Sequence, residues 1–175
     1  MSIVSRNKKL TLASTALVLA YSNVVAAHSE PVNSISAVDK AAVSYSGGET
    51  ITLSDLPPVV TASTSGPSKR AWGILVSKST TAPSSLTIEA QDPTGKIEIN
   101  TVGDKAHGAQ VGAKGSNADG KDQSKLNLSS SVFVSTIGAD SYGLHAIDGG
   151  TINSEASIAT SGKNGFGVFA ESHST

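Results

Sequence analysis

One short motif, spaced identically three times, constrains this chain more than any other feature. It reads Thr-x-Gly, four residues, then Gly, at Thr101-x-Gly103…Gly108, Thr136-x-Gly138…Gly143 and Thr160-x-Gly162…Gly167. A looser version, Thr64-x-Gly66…Gly73, holds two extra residues between its glycines. A repeat this short cannot bury its own apolar face, so the units must stack on one another.

The flanks of each unit line up. Two and four positions before the Thr stand Ile99 and Ile97, Val134 and Val132, Ile158 and Ala156; the loose version has Ala62 and Val60 there. Between them lie mostly polar or small residues: Glu98, Asn100, Ser135, Ser157 and Ala159, with Phe133 the exception. This alternation predicts a half-buried strand. After the second Gly a second alternating run begins, with Ile74 and Val76, Ala109 and Val111, Leu144 and Ala146, Val168 and Ala170 at its first and third positions. Just before that Gly stands Trp72, His107, Tyr142 or Phe166. Each unit therefore reads as strand, glycine turn, strand.

The second glycines are 35, 35 and 24 residues apart. The longer intervals hold a further candidate strand, Leu86-Thr-Ile88 or Leu126-Asn-Leu128, and loop text at 77–85 and 114–125. Coils of about two dozen residues with protruding loops predict an all-β, right-handed parallel β-helix, incomplete at its C-terminus. Thr64, Thr101, Thr136 and Thr160 are expected to form one ladder. Trp72, His107, Tyr142 and Phe166 are expected to form another, facing inward because they share strand parity with Ile74, Leu144 and Val168.

Residues 1–27 read as a secretory signal peptide. Arg6, Lys8 and Lys9 precede an apolar run from Leu10 to Tyr21, and Val25-Ala-Ala27 offers small residues for cleavage before His28. Of 13 basic residues three leave with it, so ten remain against 14 acidic ones, a formal charge of −4. The chain has no cysteine, unusual for a small exported domain. Residues 28–49 read as a leader or N-terminal cap, with the first strand at Thr50–Leu53, and residues 50–175 as β-helix repeats. Only seven residues are aromatic, and no Lys/Arg stripe is interleaved with aromatics, which argues against nucleic-acid binding.

These parts together resemble the N-terminal passenger region of a Gram-negative autotransporter with a pertactin-like β-helix. The resemblance rests on the export signal, the absence of Cys, and the runs Ile99-Asn-Thr-Val-Gly103, His107-Gly-Ala-Gln-Val111, Val134 to Ala146 and Ile158 to Ala170. It covers residues 50–175. Such proteins end in a membrane β-barrel, and no barrel follows here, so the chain is expected to be a fragment, a truncated product or a remnant. The resemblance implies display at the cell surface or outside the cell for a full-length protein, and a periplasmic location for the chain as written. It implies a structural, adhesin-like role, with a host surface, matrix or glycan as partner; the residues after Ala170 are too few to cap the last coil, so association with other copies through that open coil is expected as well. Contact with a membrane would run only through the missing barrel.

Catalytic, cofactor and metal sites are expected to be absent. His107 and His145 fall on opposite strand parities and should not meet, which disfavours a shared metal. Gly138-Ala-Asp-Ser-Tyr-Gly143 lacks Gly-x-Ser-x-Gly spacing and reads as a turn. Asn117-Ala-Asp119-Gly120-Lys-Asp122 lacks the first Asp and twelfth-position Glu of a calcium loop and reads as a solvated turn. Asp148-Gly149-Gly150 reads as a tight corner. Phe133 and Phe169 break the outward polar rule; they dock a loop, mark a binding patch or meet another chain. The alternative class is a carbohydrate-acting β-helix enzyme, a lyase or hydrolase, which requires acids and bases converging on one face. The acids here are scattered, and Glu98 has no acidic counterpart in the other units. A non-functional remnant is the third reading.

Overall fold

The apolar residues that alternate ahead of the glycine turns pack inward. In the computed structural model, which describes residues 34–79, 82–92, 94–112, 122–171 and 174, Val60, Ile99, Val134 and Ile158 stand in register in one column. The first three are at most 2 % exposed, and burying each such side chain contributes roughly 1.5–3 kcal/mol. The expected column of Ile99, Val134 and Ile158 is therefore present.

That column belongs to sheet A, ordered β1 (Ser34–Val38), β4 (Val59–Ser63), β7 (Ile97–Val102), β10 (Val132–Ile137) and β13 (Ser157–Ser161). Sheet B holds β2 (Ala41–Tyr45), β5 (Ala71–Val76), β8 (Ala106–Val111), β11 (Leu144–Ala146) and β14 (Val168–Ala170). Sheet C holds β3 (Thr50–Leu53), β6 (Ser85–Ile88), β9 (Lys125–Leu128) and β12 (Thr151–Ser154). All pairings are parallel. Each sheet takes every third strand, so the chain visits A, B and C in rotation and returns to A one strand further on. This all-β stack of parallel sheets is consistent with a parallel β-helix. The candidate strands at Leu86–Ile88 and Leu126–Leu128 lie in β6 and β9, and their four leucine and isoleucine side chains are buried.

Two expectations about the early circuits are corrected. The first strand is not Thr50–Leu53: residues 34–45, read as part of a leader or cap, hold β1 and β2, which pair with β4 and β5. Ala37, Ala42, Val43 and Tyr45 are buried there. The corner between these strands uses Asp39 at φ 57°, where a short polar side chain tolerates the left-handed region. Its carboxylate accepts the Ser65 N–H at 2.8 Å and the Ser65 hydroxyl at 2.5 Å. These bonds, the hydroxyl first, hold its pKa below the ordinary value.

The second correction concerns Thr64. Thr101, Thr136 and Thr160 do form a ladder, but the residue beside Thr101 in β4 is Ala62, not Thr64. The loose repeat is displaced by two residues because Val60, rather than Ala62, fills the space under Ile99. Thr64 instead lies against Gly103, and its hydroxyl donates to the Asp104 carbonyl at 3.1 Å. A Cβ on Gly103 would collide with that hydroxyl, and Gly103 also sits at φ 110°, so glycine is required there twice over.

The remaining expectations fall unevenly on the described residues. The expected signal peptide, residues 1–27, lies outside them, as do residues 80–81 and 114–121 of the loop text. Asp148 and Gly149 both have positive φ, 54° and 84°, as a tight corner demands.

Candidate functional site

Sheet B carries an unusual outer face, and glycines create it. In β5 and β8 the inward residues are not strictly alternate. Ala71 and Ala106 are buried; Gly73 and Gly108 face the core; and Ile74 and Ala109, the very next residues, are buried as well. A Cβ on Gly73 would strike Ile99, one on Gly108 would strike Val134, and one on Gly143 would strike Ile158. These glycines therefore sit hard against the inward column of sheet A. Their φ values are not positive; lack of space, not backbone conformation, excludes a side chain.

Two consecutive inward positions reverse the parity of everything before them. Trp72, His107, Tyr142 and Phe166 consequently face outward, not inward, and share that face with Leu75, Gln110, His145 and Phe169. The expectation of an inward aromatic column is overturned, and so is the expectation that His107 and His145 stay apart. Their ring centroids are 5.0 Å apart. The Trp72 indole N–H donates to Gln110 Oε1 at 2.7 Å. His107 stacks on Tyr142 at 4.9 Å and 18° between planes. Tyr142 lies 4.7 Å from Phe169, and Phe166 stacks on Phe169 at 5.6 Å. At the β14 end His145 Nε2 meets Glu171 Oε1 at 2.9 Å.

Electrostatics keep the middle of this face neutral. The His107 imidazole is pushed down to about 3, first by burial and then by the neighbouring His145 and Arg70. Its Nδ1 accepts the Tyr142 backbone N–H at 3.2 Å, a bond that requires an unprotonated nitrogen. Burial, then Asp140 and Glu171, raise the Tyr142 phenol. Near pH 7 the face thus combines an uncharged His107 ring, aromatic rings, an amide at Gln110 and the hydrogen-bonded His145–Glu171 pair at one end. Phe166 is 49 % exposed, and Trp72, Tyr142 and Phe169 are half-buried.

The other candidate residues go elsewhere. The Ser141 hydroxyl donates to the Gly103 carbonyl at 2.9 Å and accepts the Ala106 N–H at 3.2 Å, so it ties two circuits together. Asp122, the described end of the calcium-like run, accepts the backbone N–H of Lys78 at 3.0 Å and of Ser124 at 3.2 Å. Among the described residues no three His, Asp or Glu side chains gather to hold a metal ion. Glu98 and Phe133 lie on the outer face of sheet A, beside each other in register. Sequence reasoning missed Gln110 and Glu171. The signal that could have found them is the glycine at each parity break, which carries no side chain to declare its side.

No protein-family model, no curated protein and no solved structure matches the chain.

Proposed function

We propose that the chain is a passenger segment of an exported, autotransporter-like protein. It winds as a right-handed parallel β-helix with a structural, adhesin-like role and no catalytic activity. One observation carries the reading: aromatic and imidazole rings from the three circuits of β8, β11 and β14 face outward as a continuous patch. Half-buried rings rimmed by polar groups are what an interaction surface uses. A stiff stack of circuits suits such a role, because it holds the patch in one geometry. The partner class is a host surface, matrix or glycan. The test is binding of the purified exported chain to immobilised matrix and to cells, with mass spectrometry of its N-terminus expected to begin at or beside His28. An intact N-terminus recovered from cytosol, or no binding to any surface, sinks the proposal.

A second reading gains from the same face. A carbohydrate-acting enzyme needs acid and base groups converging across adjacent circuits, and His145, Glu171 and Tyr142 do converge. A polysaccharide depolymerisation assay separates the two: product release abolished by His145→Gln supports the enzyme, and no release supports the adhesin.

A further inference from the structure

The outer face of sheet A carries a second, chemically different feature. A recess of about 330 Å³ opens across β7, β10 and β13, bounded by Lys96, Glu98, Asn100, Phe133, Ser135 and Ser157. Phe133 stands in register between Glu98 and Ser157, and Ser135 between Asn100 and Ala159. The one aromatic residue is thus ringed by a carboxylate, an amide and two hydroxyls. The Lys96 ammonium lies over the Phe133 ring, 5.0 Å from its centroid, the geometry of a cation–π contact. Among the described residues, none of the side chains of Glu98, Asn100, Ser135 and Ser157 hydrogen-bonds another protein group.

We infer that this recess binds a neutral sugar unit of a glycan chain. The chemistry narrows the ligand in three steps. Lys96 and Glu98 bring one charge of each sign, so an anionic or a cationic ligand meets a like charge at the rim. Phe133 offers an apolar surface, reached when the exposed Lys96 swings off its ring, amid groups that both donate and accept, which suits a ligand with one C–H face and a hydroxyl edge. The volume lies at the bottom of the range of about 300–1,000 Å³ typical of ligand pockets, which suits a single pyranose ring. A glycan lying along the stack passes successive strands about 4.8 Å apart. Val59 takes the Glu98 position in the preceding circuit, so the polar site stops at β7. This site is independent of the sheet B face and of any adhesive role there.

The experiment is ligand-detected NMR on the full chain with cellobiose, maltose and lactose as neutral probes and a galacturonic acid disaccharide as the charged one. Amide shifts of labelled protein locate the contact. At least one neutral disaccharide should bind, moving the amides of Asn100, Ser135 and Ala159. Phe133→Ala should weaken binding roughly tenfold or more, while Lys163→Ala, an exposed change in the turn after β13, leaves it unchanged. Ala159→Trp, an exposed substitution that fills the recess, should also abolish binding if Phe133→Ala fails to fold. The inference is overturned if no neutral probe binds, if only the charged disaccharide binds, or if binding survives Ala159→Trp.

Discussion

His107 and His145 stand ring to ring, 5.0 Å between centroids, on the outside of sheet B. Each belongs to a different register column, yet the doubled inward step at Gly108 and Ala109 brings both to one face. His107 is the more deeply committed of the two. It is 4 % exposed, with Tyr142 stacked against it.

Acid should therefore loosen the fold through His107. In the unfolded chain its imidazole titrates near 6.5, and in the fold at about 3. Between those values the unfolded chain binds a proton that the folded chain refuses. Stability is unaffected above 6.5 and falls as pH drops towards 3, by up to about 1.4 kcal/mol per pH unit. The carboxylates of Asp39 and Asp92 are held below their ordinary 3.8 by hydrogen bonds from Ser65 and Thr94, so their stabilisation is lost only in stronger acid. Urea midpoints at pH 7.5 and 5.5 should separate for the native chain and draw together for His107→Phe. Equal separation in both would reject the assignment.

The turn glycines should divide into two classes on substitution. A methyl on Gly143 meets Ile158 and the Gly167 carbonyl, whereas one on Gly167 finds its nearest neighbour, Ile158 Cγ2, at 3.9 Å. Gly143→Ala should cost about 1–3 kcal/mol by overpacking, and Gly167→Ala should stay within about 0.5 kcal/mol. Thermal or chemical denaturation of the pair measures the contrast, and equal losses would contradict it.

The threonine ladder offers a test with opposite signs. Thr101 and Thr136 are both 1 % exposed. Thr101 Oγ1 donates to the Ala106 carbonyl at 3.0 Å, while Thr136 Oγ1 has no hydrogen-bond partner among the described residues. Thr101→Val should destabilise by about 1 kcal/mol or more, because it also strands a carbonyl. Thr136→Val should be neutral or stabilising by up to about 1 kcal/mol, because it removes a buried hydroxyl that bonds to nothing. A stability loss at Thr136 as large as that at Thr101 would mean its hydroxyl is satisfied after all.

Removing exposed rings should reduce adhesion without unfolding the chain. Phe166, at 49 % exposed, has little burial to lose. If sheet B is the contact surface, Phe166→Ser and Phe169→Ser together should weaken surface binding at least about tenfold. Circular dichroism should stay native. Unchanged binding would move the contact elsewhere.

What could be read from the residues, and what could not, follows from which side chains take part in packing. Ile99, Val134 and Ile158 announced their column because large apolar residues alternating with polar ones leave one solution. Ala37, Ala42 and Val43 announced little, since small residues fit a strand, a loop or a cap equally well, and β1 and β2 went unread. At Gly73, Gly108 and Gly143 the decisive step is taken by a residue with no side chain, so counting parity through it reversed the face of Trp72, His107 and Tyr142. Thr64 is a related case: its spacing matches the motif, but the buried Val60 beneath Ile99 sets the register of β4. The outward site was thus present in the text as residues and absent from it as a place.

The rotation of the chain through three sheets also sets how it can come apart. Among the described residues no strand pairs with its neighbour in sequence; each pairs with the strand one circuit away. Order can therefore spread from any circuit to the next in either direction, as in a one-dimensional chain of coupled units. A proline placed at Ser135, in the centre of β10, would interrupt that spread. The circuits on its two sides should then melt as separate blocks, giving two transitions where the uninterrupted stack gives one.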